Sequence, residues 1–218
     1  MSDLQPLIAA IEEAASPAEL IGAVRSLATA QLTAGIPTLI KVLGYNNPGA
    51  AAVAVGGLVQ LGDVAVGPLL EQLDGYNYGA RAYAIRALAA IAHPQALTVL
   101  LDAAATDFAP SVRRAATKGV GYLRWEQVPT AERPQAQMQG LKILLQVSDD
   151  ADWAIRYAAV VGLQALGEAA VEAAISQPIR DRLHCLAATD PDLATRARAS
   201  LASDRLSPQP HSPLTVCC

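Results

Sequence analysis

The sequence predicts an all-α solenoid, a superhelix of stacked helix pairs. Three observations carry that expectation. Hydrophobic residues make up 52% of the 218 residues, but they are mostly Ala, Leu and Val, with a single Phe. That composition suits helices packed closely through small side chains. Segments of similar pattern recur every 30–45 residues, the length of a helix pair. An Asp-x5-Arg spacing recurs with them, at Asp107/Arg113, Asp150/Arg156 and Asp190/Arg196.

Leu4 to Ala14 reads as an amphipathic helix with Leu4, Leu7, Ile8 and Ile11 on one face. Ser16-Pro17 opens the next, with Ser16 as N-cap and Pro17 at the first helical position. Gly35-Ile36-Pro37 starts its partner, which runs through Leu43. The segment from Asn47 to Gly62 then aligns with Asn77 to Ile91 at a shift of 30, which puts Leu58 on Leu88 and Leu61 on Ile91. Further copies run from Asp107 to Leu123, Asp150 to Leu166 and Asp190 to Leu201. Second helices lie between them, over Val66–Leu73, Pro94–Ala105, Pro134–Val147 and Ala169–Ala188. The pattern is that of HEAT-like or armadillo-type repeats, although Ala51 stands where later copies carry Arg. The expected domain covers residues 1–203, and 204–218, with its prolines among Ser, Gln and His, reads as a disordered tail. The connection from Arg124 to Arg133 breaks the period and reads as a loop projecting from a binding face.

Charge and cysteine usage narrow the function classes. A net charge of −4 and a pI near 5.3 argue against a nucleic-acid partner, which needs a basic surface. No run approaches 18 uninterrupted apolar residues, and Met1-Ser2-Asp3 opens without a signal pattern, so the expectation is a cytoplasmic protein without membrane insertion. Cys185, Cys217 and Cys218 form neither a disulfide framework nor a metal-ligand spacing, so no metal site is expected.

Three of the six tyrosines, Tyr76, Tyr78 and Tyr83, fall within eight residues, around the turn Asp74-Gly75-Tyr76-Asn77-Tyr78-Gly79-Ala80-Arg81. All aromatics lie between Tyr45 and Tyr157. Aromatics that only filled a core would scatter through the chain, so this central band is expected to face a ligand or partner.

Specific motifs go beyond the repeat pattern. Gly44-Tyr-Asn-Asn-Pro-Gly-Ala50, Leu73-Asp-Gly-Tyr-Asn-Tyr-Gly-Ala-Arg-Ala-Tyr83, Asp107-Phe-Ala-Pro-Ser-Val-Arg-Arg-Ala-Ala116, Lys118-Gly-Val-Gly-Tyr-Leu-Arg-Trp125 and Trp153-Ala-Ile-Arg-Tyr-Ala-Ala-Val-Val-Gly162 together resemble the E/F-type phycobilin lyases of cyanobacteria. The resemblance is to the F (beta) type and covers roughly residues 17 to 170. It implies a heterodimer with a longer E-type subunit, with phycocyanobilin as substrate and the phycocyanin α subunit as acceptor. The pigment is attached, and can be detached or transferred, through a thioether to an acceptor cysteine. The Asn-His-Cys-Gln-Gly-Asn motif of the lyase-isomerases is absent, which favours a plain lyase. A non-catalytic HEAT scaffold for phycobiliproteins, a bilin chaperone and a lyase for another bilin stand as alternatives.

The chemistry implied selects the candidates. The nucleophile is the acceptor's cysteine, so the lyase needs neither a nucleophile nor a cofactor of its own, and catalytic residues stay unassigned. Its tasks are to hold and orient the bilin and to dock the acceptor. Two propionates call for Arg forks, the pyrrole N–H groups for a carboxylate, and the flat faces for aromatic rings. Tyr76, Asn77 and Tyr78 are therefore expected to contact ligand or partner, and Arg86 and Arg114, extra to the repeat pattern, to take carboxylates. Trp125, Trp153 and Tyr157 are interface candidates. Arg81, Arg113 and Arg156 occupy the position at which such repeats bridge to a neighbour's Asp, so each has a structural reading beside the functional one; Arg196 reads as structural. Asp107 reads first as a helix cap and second as a carboxylate for the pyrrole nitrogens.

Overall fold

A computed structural model describes residues 4–73 and 78–207. Twelve α-helices run through them in order: α1 Leu4–Glu12, α2 Pro17–Ala30, α3 Ile36–Leu43, α4 Pro48–Leu61, α5 Val66–Gln72, α6 Tyr78–Ile91, α7 Leu97–Thr106, α8 Pro110–Tyr122, α9 Arg133–Val147, α10 Trp153–Ala169, α11 Ala173–Thr189 and α12 Leu193–Leu206. The even helices from α2 to α12 pack each on the next to form one layer. In the second layer α3 contacts α5, and α7, α9 and α11 follow one another. This is the expected two-layer solenoid.

Local chemistry sets the helix starts. Ser16 Oγ accepts the Glu19 N–H at 3.2 Å while the Glu19 carboxylate accepts the Ala15 N–H at 3.0 Å, and Pro17 fills the position that needs no donor. Asn47 caps α4 by accepting the Ala50 N–H at 3.0 Å. Asp152 and Asp192 cap α10 and α12 in the same way. The stretch Pro48–Gln72 has the length and hydropathy of a membrane span. It is not one helix, however: Gly62 at φ 70° ends α4, and α5 turns away into the second layer.

Glycine lets the first layer close. A Cβ on Gly57 would lie 2.6 Å from the Ala28 Cβ, and one on Gly121 would lie 2.3 Å from the Gly162 carbonyl oxygen. Helices α8 and α10 therefore cross backbone to backbone. Between the layers, Leu58, Leu88, Leu100, Leu144 and Leu163 are fully buried.

Three expectations change. The 124–133 connection does not project. Trp125 is 2% exposed, donates its indole N–H to the Gly121 carbonyl at 3.2 Å, and lies against the bare face of Gly140. Arg124 pairs with Asp63 two repeats earlier, and Arg133 donates to the carbonyls of Glu126 and Val128. Helix α11 begins at Ala173 rather than Ala169, because α10 continues to Ala169 and Ala170 is extended. Helix α12 continues to Leu206, past the expected boundary at 203. The disorder expected for the tail concerns, from residue 208 onward, positions outside the described residues.

Candidate functional site

The even helices from α6 to α12 begin along one edge of the solenoid, where a ladder of charge ties each repeat to the next. Arg81 Nη1 donates to Asp107 Oδ2 at 2.5 Å, and its Nη2 lies 3.8 Å from Asp102 Oδ2. Arg113 Nη2 donates to Asp150 Oδ2 at 2.5 Å, and its Nε donates to the Ala104 carbonyl. Arg156 forks Asp190 through Nε at 2.8 Å and Nη2 at 2.9 Å, with Nη1 on the carbonyls of Asp150 and Ala151. Each Arg thus reaches the Asp of the following repeat. Arg196, on the last described helix, makes the same bonds as Arg156 to the preceding turn, donating Nη1 to the carbonyls of Asp190 and Pro191. The fork holds the Asp190 carboxyl below the usual range, and the same bond raises Arg156.

This ladder supports the structural reading of Arg81, Arg113, Arg156 and Arg196. Asp107 does not cap α8, whose N-cap residue is Ala109, without a side-chain bond. Its Oδ1 instead braces the preceding turn, accepting the Ala109 N–H at 2.9 Å and the Tyr78 hydroxyl at 3.2 Å. With its side chain fully buried and both oxygens engaged, Asp107 has no face left for pyrrole nitrogens.

Above the ladder lies an aromatic rim. Tyr78, the first residue of α6, stacks on Phe108 with ring centroids 4.2 Å apart and planes at 29°. Burial, then the neighbouring Asp107 charge, pushes the Tyr78 hydroxyl above its ordinary pKa. Phe108 is 78% exposed, and Trp153, opening α10, is 51% exposed. Tyr157 is half-buried one turn further along α10. Phe108 rests on Tyr78 yet keeps most of its surface in solvent, and Trp153 about half of its own, so both are available to another surface.

The remaining candidates separate. Arg86 points across to α8, where it donates to Ser111 Oγ at 3.1 Å while its guanidinium lies 5.2 Å over the Tyr83 ring. Arg114 is half-buried on α8. Trp125, expected at an interface, is core. Tyr76 and Asn77 lie outside the described residues. Sequence reasoning passed over Phe108 and the exposed Tyr122; the signal for Phe108 was the chain's one Phe set in a turn just before a helix-opening Pro. Among the described residues no three His, Cys, Asp or Glu side chains are grouped to hold a metal ion, and Cys185 is free and exposed.

Comparison with known proteins adds to this geometry. The family model of HEAT repeats matches residues 66–131. A phycocyanobilin lyase subunit beta from Thermosynechococcus vestitus is 53% identical over 213 residues, which is 97% of this chain and the whole of that protein. The chain belongs to the E/F-type phycobilin lyase family. Within that family it is similar to the phycocyanin alpha phycocyanobilin lyase CpcF of Synechocystis, at 45% identity over 94% of this chain and 95% of that one. A relative from Synechococcus elongatus, 48% identical over 92% of this chain and 97% of its own length, is named a phycobilisome maturation protein. Among solved structures, the lyase chain resembles one in the complex of CpcE and CpcF of phycocyanin lyase from Nostoc sp. PCC7120. That likeness has 58% identity and a TM-score of 0.71, and covers 78% of this chain and 98% of the other.

Proposed function

We propose that the chain is one subunit of a heterodimeric bilin lyase. With an E-type partner it joins phycocyanobilin through a thioether to a cysteine of the phycocyanin α subunit, in the cytoplasm, during antenna assembly. The observation that carries this reading is the 53% identity to a phycocyanobilin lyase subunit beta over that protein's entire length. In the reaction the acceptor thiolate gives its electron pair to the ethylidene carbon of ring A, the C–S bond forms, and the pigment takes up the proton. Both the nucleophile and the electrophile arrive with the substrates. The enzyme contributes orientation, exclusion of water and protonation, and needs no cofactor of its own.

The shape of this chain suits a half-share in such work. The solenoid is a rigid frame, its ladder arginines Arg81, Arg113 and Arg156 are neutralised internally, and its exposed Phe108 and Trp153, with the half-buried Tyr78 stacked under Phe108, offer a rim to a protein surface. Co-expression with the E-type partner, the apo-α subunit and the pigment-forming enzymes tests the proposal. The expected result is an α subunit that keeps colour and zinc-enhanced fluorescence through denaturing electrophoresis. Pigment that stays unattached with both subunits present would overturn it. Attachment that proceeds equally well without this chain would reduce it to a scaffold.

A further inference from the structure

A second feature lies between α6 and α8, where Arg86 stands close enough to the aromatic rim for its charge to act on Tyr78. Helices α6 and α8 enclose an open groove of about 480 Å³ between Arg86 and Ala89 on one side and Ala115, Lys118, Gly119 and Tyr122 on the other. Gly119 lets the helices approach so closely that a Cβ there would lie 2.7 Å from that of Ala89. The floor is therefore methyl groups and bare backbone, and the walls carry two cations.

Their placement is not a by-product of the repeat. Aligned on the ladder arginines, Gly56, Arg86, Lys118 and Val161 share one position on α4, α6, α8 and α10. Only the two central helices put a positive charge there. Adjacent packed helices lie roughly 8–10 Å apart, so the two cations are carried by neighbouring backbones on either side of one groove. Arg114 follows the same face of α8 one turn before Lys118.

Nor is the charge answered from within. Among the described residues the ladder arginines Arg81, Arg113 and Arg156 pair with carboxylates, whereas Arg86, Arg114 and Lys118, like several surface cations elsewhere in the chain, form no ion pair. What sets the groove apart is that two such cations line one depression. No Asp or Glu lines the groove, in a chain whose net charge is −4. Arg86 is nonetheless oriented, by Ser111 and the Tyr83 ring. An oriented guanidinium without a carboxylate, facing an ammonium over an apolar floor, is complementary to a flat molecule bearing two carboxylates. The groove's volume of about 480 Å³ falls within the range of small-molecule sites.

We infer that the α6–α8 groove is a dicarboxylate site that holds the two propionates of the bilin. Arg86 takes one carboxylate, Lys118 the other, and the exposed Tyr122 ring covers an end of the tetrapyrrole. The inference rests on the lyase reading, and the test separates the two. The two-subunit complex is titrated with phycocyanobilin and, in parallel, with its dimethyl ester, whose propionates are uncharged, and binding is followed by pigment absorbance. Arg86→Gln and Lys118→Gln are each expected to weaken the free acid on the order of 10-fold, leave the ester unchanged, and regain affinity as Arg86→Lys and Lys118→Arg. Equal weakening of acid and ester, or no weakening of either, overturns the assignment. So does a variant that keeps pigment affinity but loses the apo-α subunit in a pull-down, since the groove would then belong to the acceptor protein. Pigment attachment by the unmodified complex reports separately on the lyase reading.

Discussion

Where α8 crosses α10, Gly121→Ala is expected to cost about 2–3 kcal/mol, the upper part of the usual range for overpacking. The added Cβ would lie 2.3 Å from the Gly162 carbonyl oxygen and 2.4 Å from its Cα. Carbon atoms in ordinary contact are separated by about 3.5–4.0 Å, so the two helices must part by roughly 1 Å. The obstacle is backbone, and no side chain can swing aside to relieve it. For a chain of this length each kcal/mol moves Tm by about 2–4 °C, so Tm should fall by about 4–12 °C. Gly22→Ala in α2 is the matched control. It adds the same methyl where no atom lies within 4 Å, and gains about 0.5–1 kcal/mol from helix propensity. Thermal unfolding followed by far-UV circular dichroism distinguishes the two. A Gly121→Ala protein melting at or above the unsubstituted one would refute the glycine crossing.

Asp190→Ala would leave the nearly buried Arg156 guanidinium without its carboxylate, at a cost of about 3–5 kcal/mol readable as a lower urea midpoint. The same pair sets an acid response. Because the folded Asp190 carboxyl is depressed, its contribution is complete above the unfolded value of about 3.9 and is lost as pH falls through the folded one. Tm should therefore be insensitive to this group from pH 7 to 5 and drop with it in acid, and Asp190→Asn should remove that part of the drop. Trp125→Ala is expected to cost about 3–5 kcal/mol because it empties the core beside Gly140. Trp153→Ala should change stability by less than about 0.5 kcal/mol while reducing pigment attachment in the co-expression assay.

The solenoid was legible because its signals are local and repeated. Ser16-Pro17 and Asn47-Pro48 announce helix starts through chemistry confined to four residues, and Asp-x5-Arg recurs at every late repeat. Bridging to a neighbour's Asp was legible in the repeated position, but the ladder's direction was not, since spacing within a repeat does not reveal that Arg113 reaches forward to Asp150, 37 residues on. Trp125 misled for a related reason. A tryptophan in a period-breaking loop reads as exposed unless one knows that Gly121 and Gly140 leave it a socket and a carbonyl. The α6–α8 groove required the register between repeats, and only that comparison shows Arg86 and Lys118 replacing Gly56 and Val161.

The ladder also ties the array unevenly. Charged rungs connect α6 to α8, α8 to α10 and α10 to α12, all of them largely shielded from added salt. At the other end Ala51 replaces the arginine, and α2 is tied to α4 by a neutral bond from Asn47 Nδ2 to the Pro17 carbonyl at 3.3 Å. Among the described residues the cross-repeat ties therefore change character along the array: neutral amide bonds join α2 to α4, the Arg124–Asp63 pair spans two repeats in the middle, and buried charge pairs join the last ones. Acid should accordingly loosen the later junctions by weakening charge, and leave the first junction unaffected.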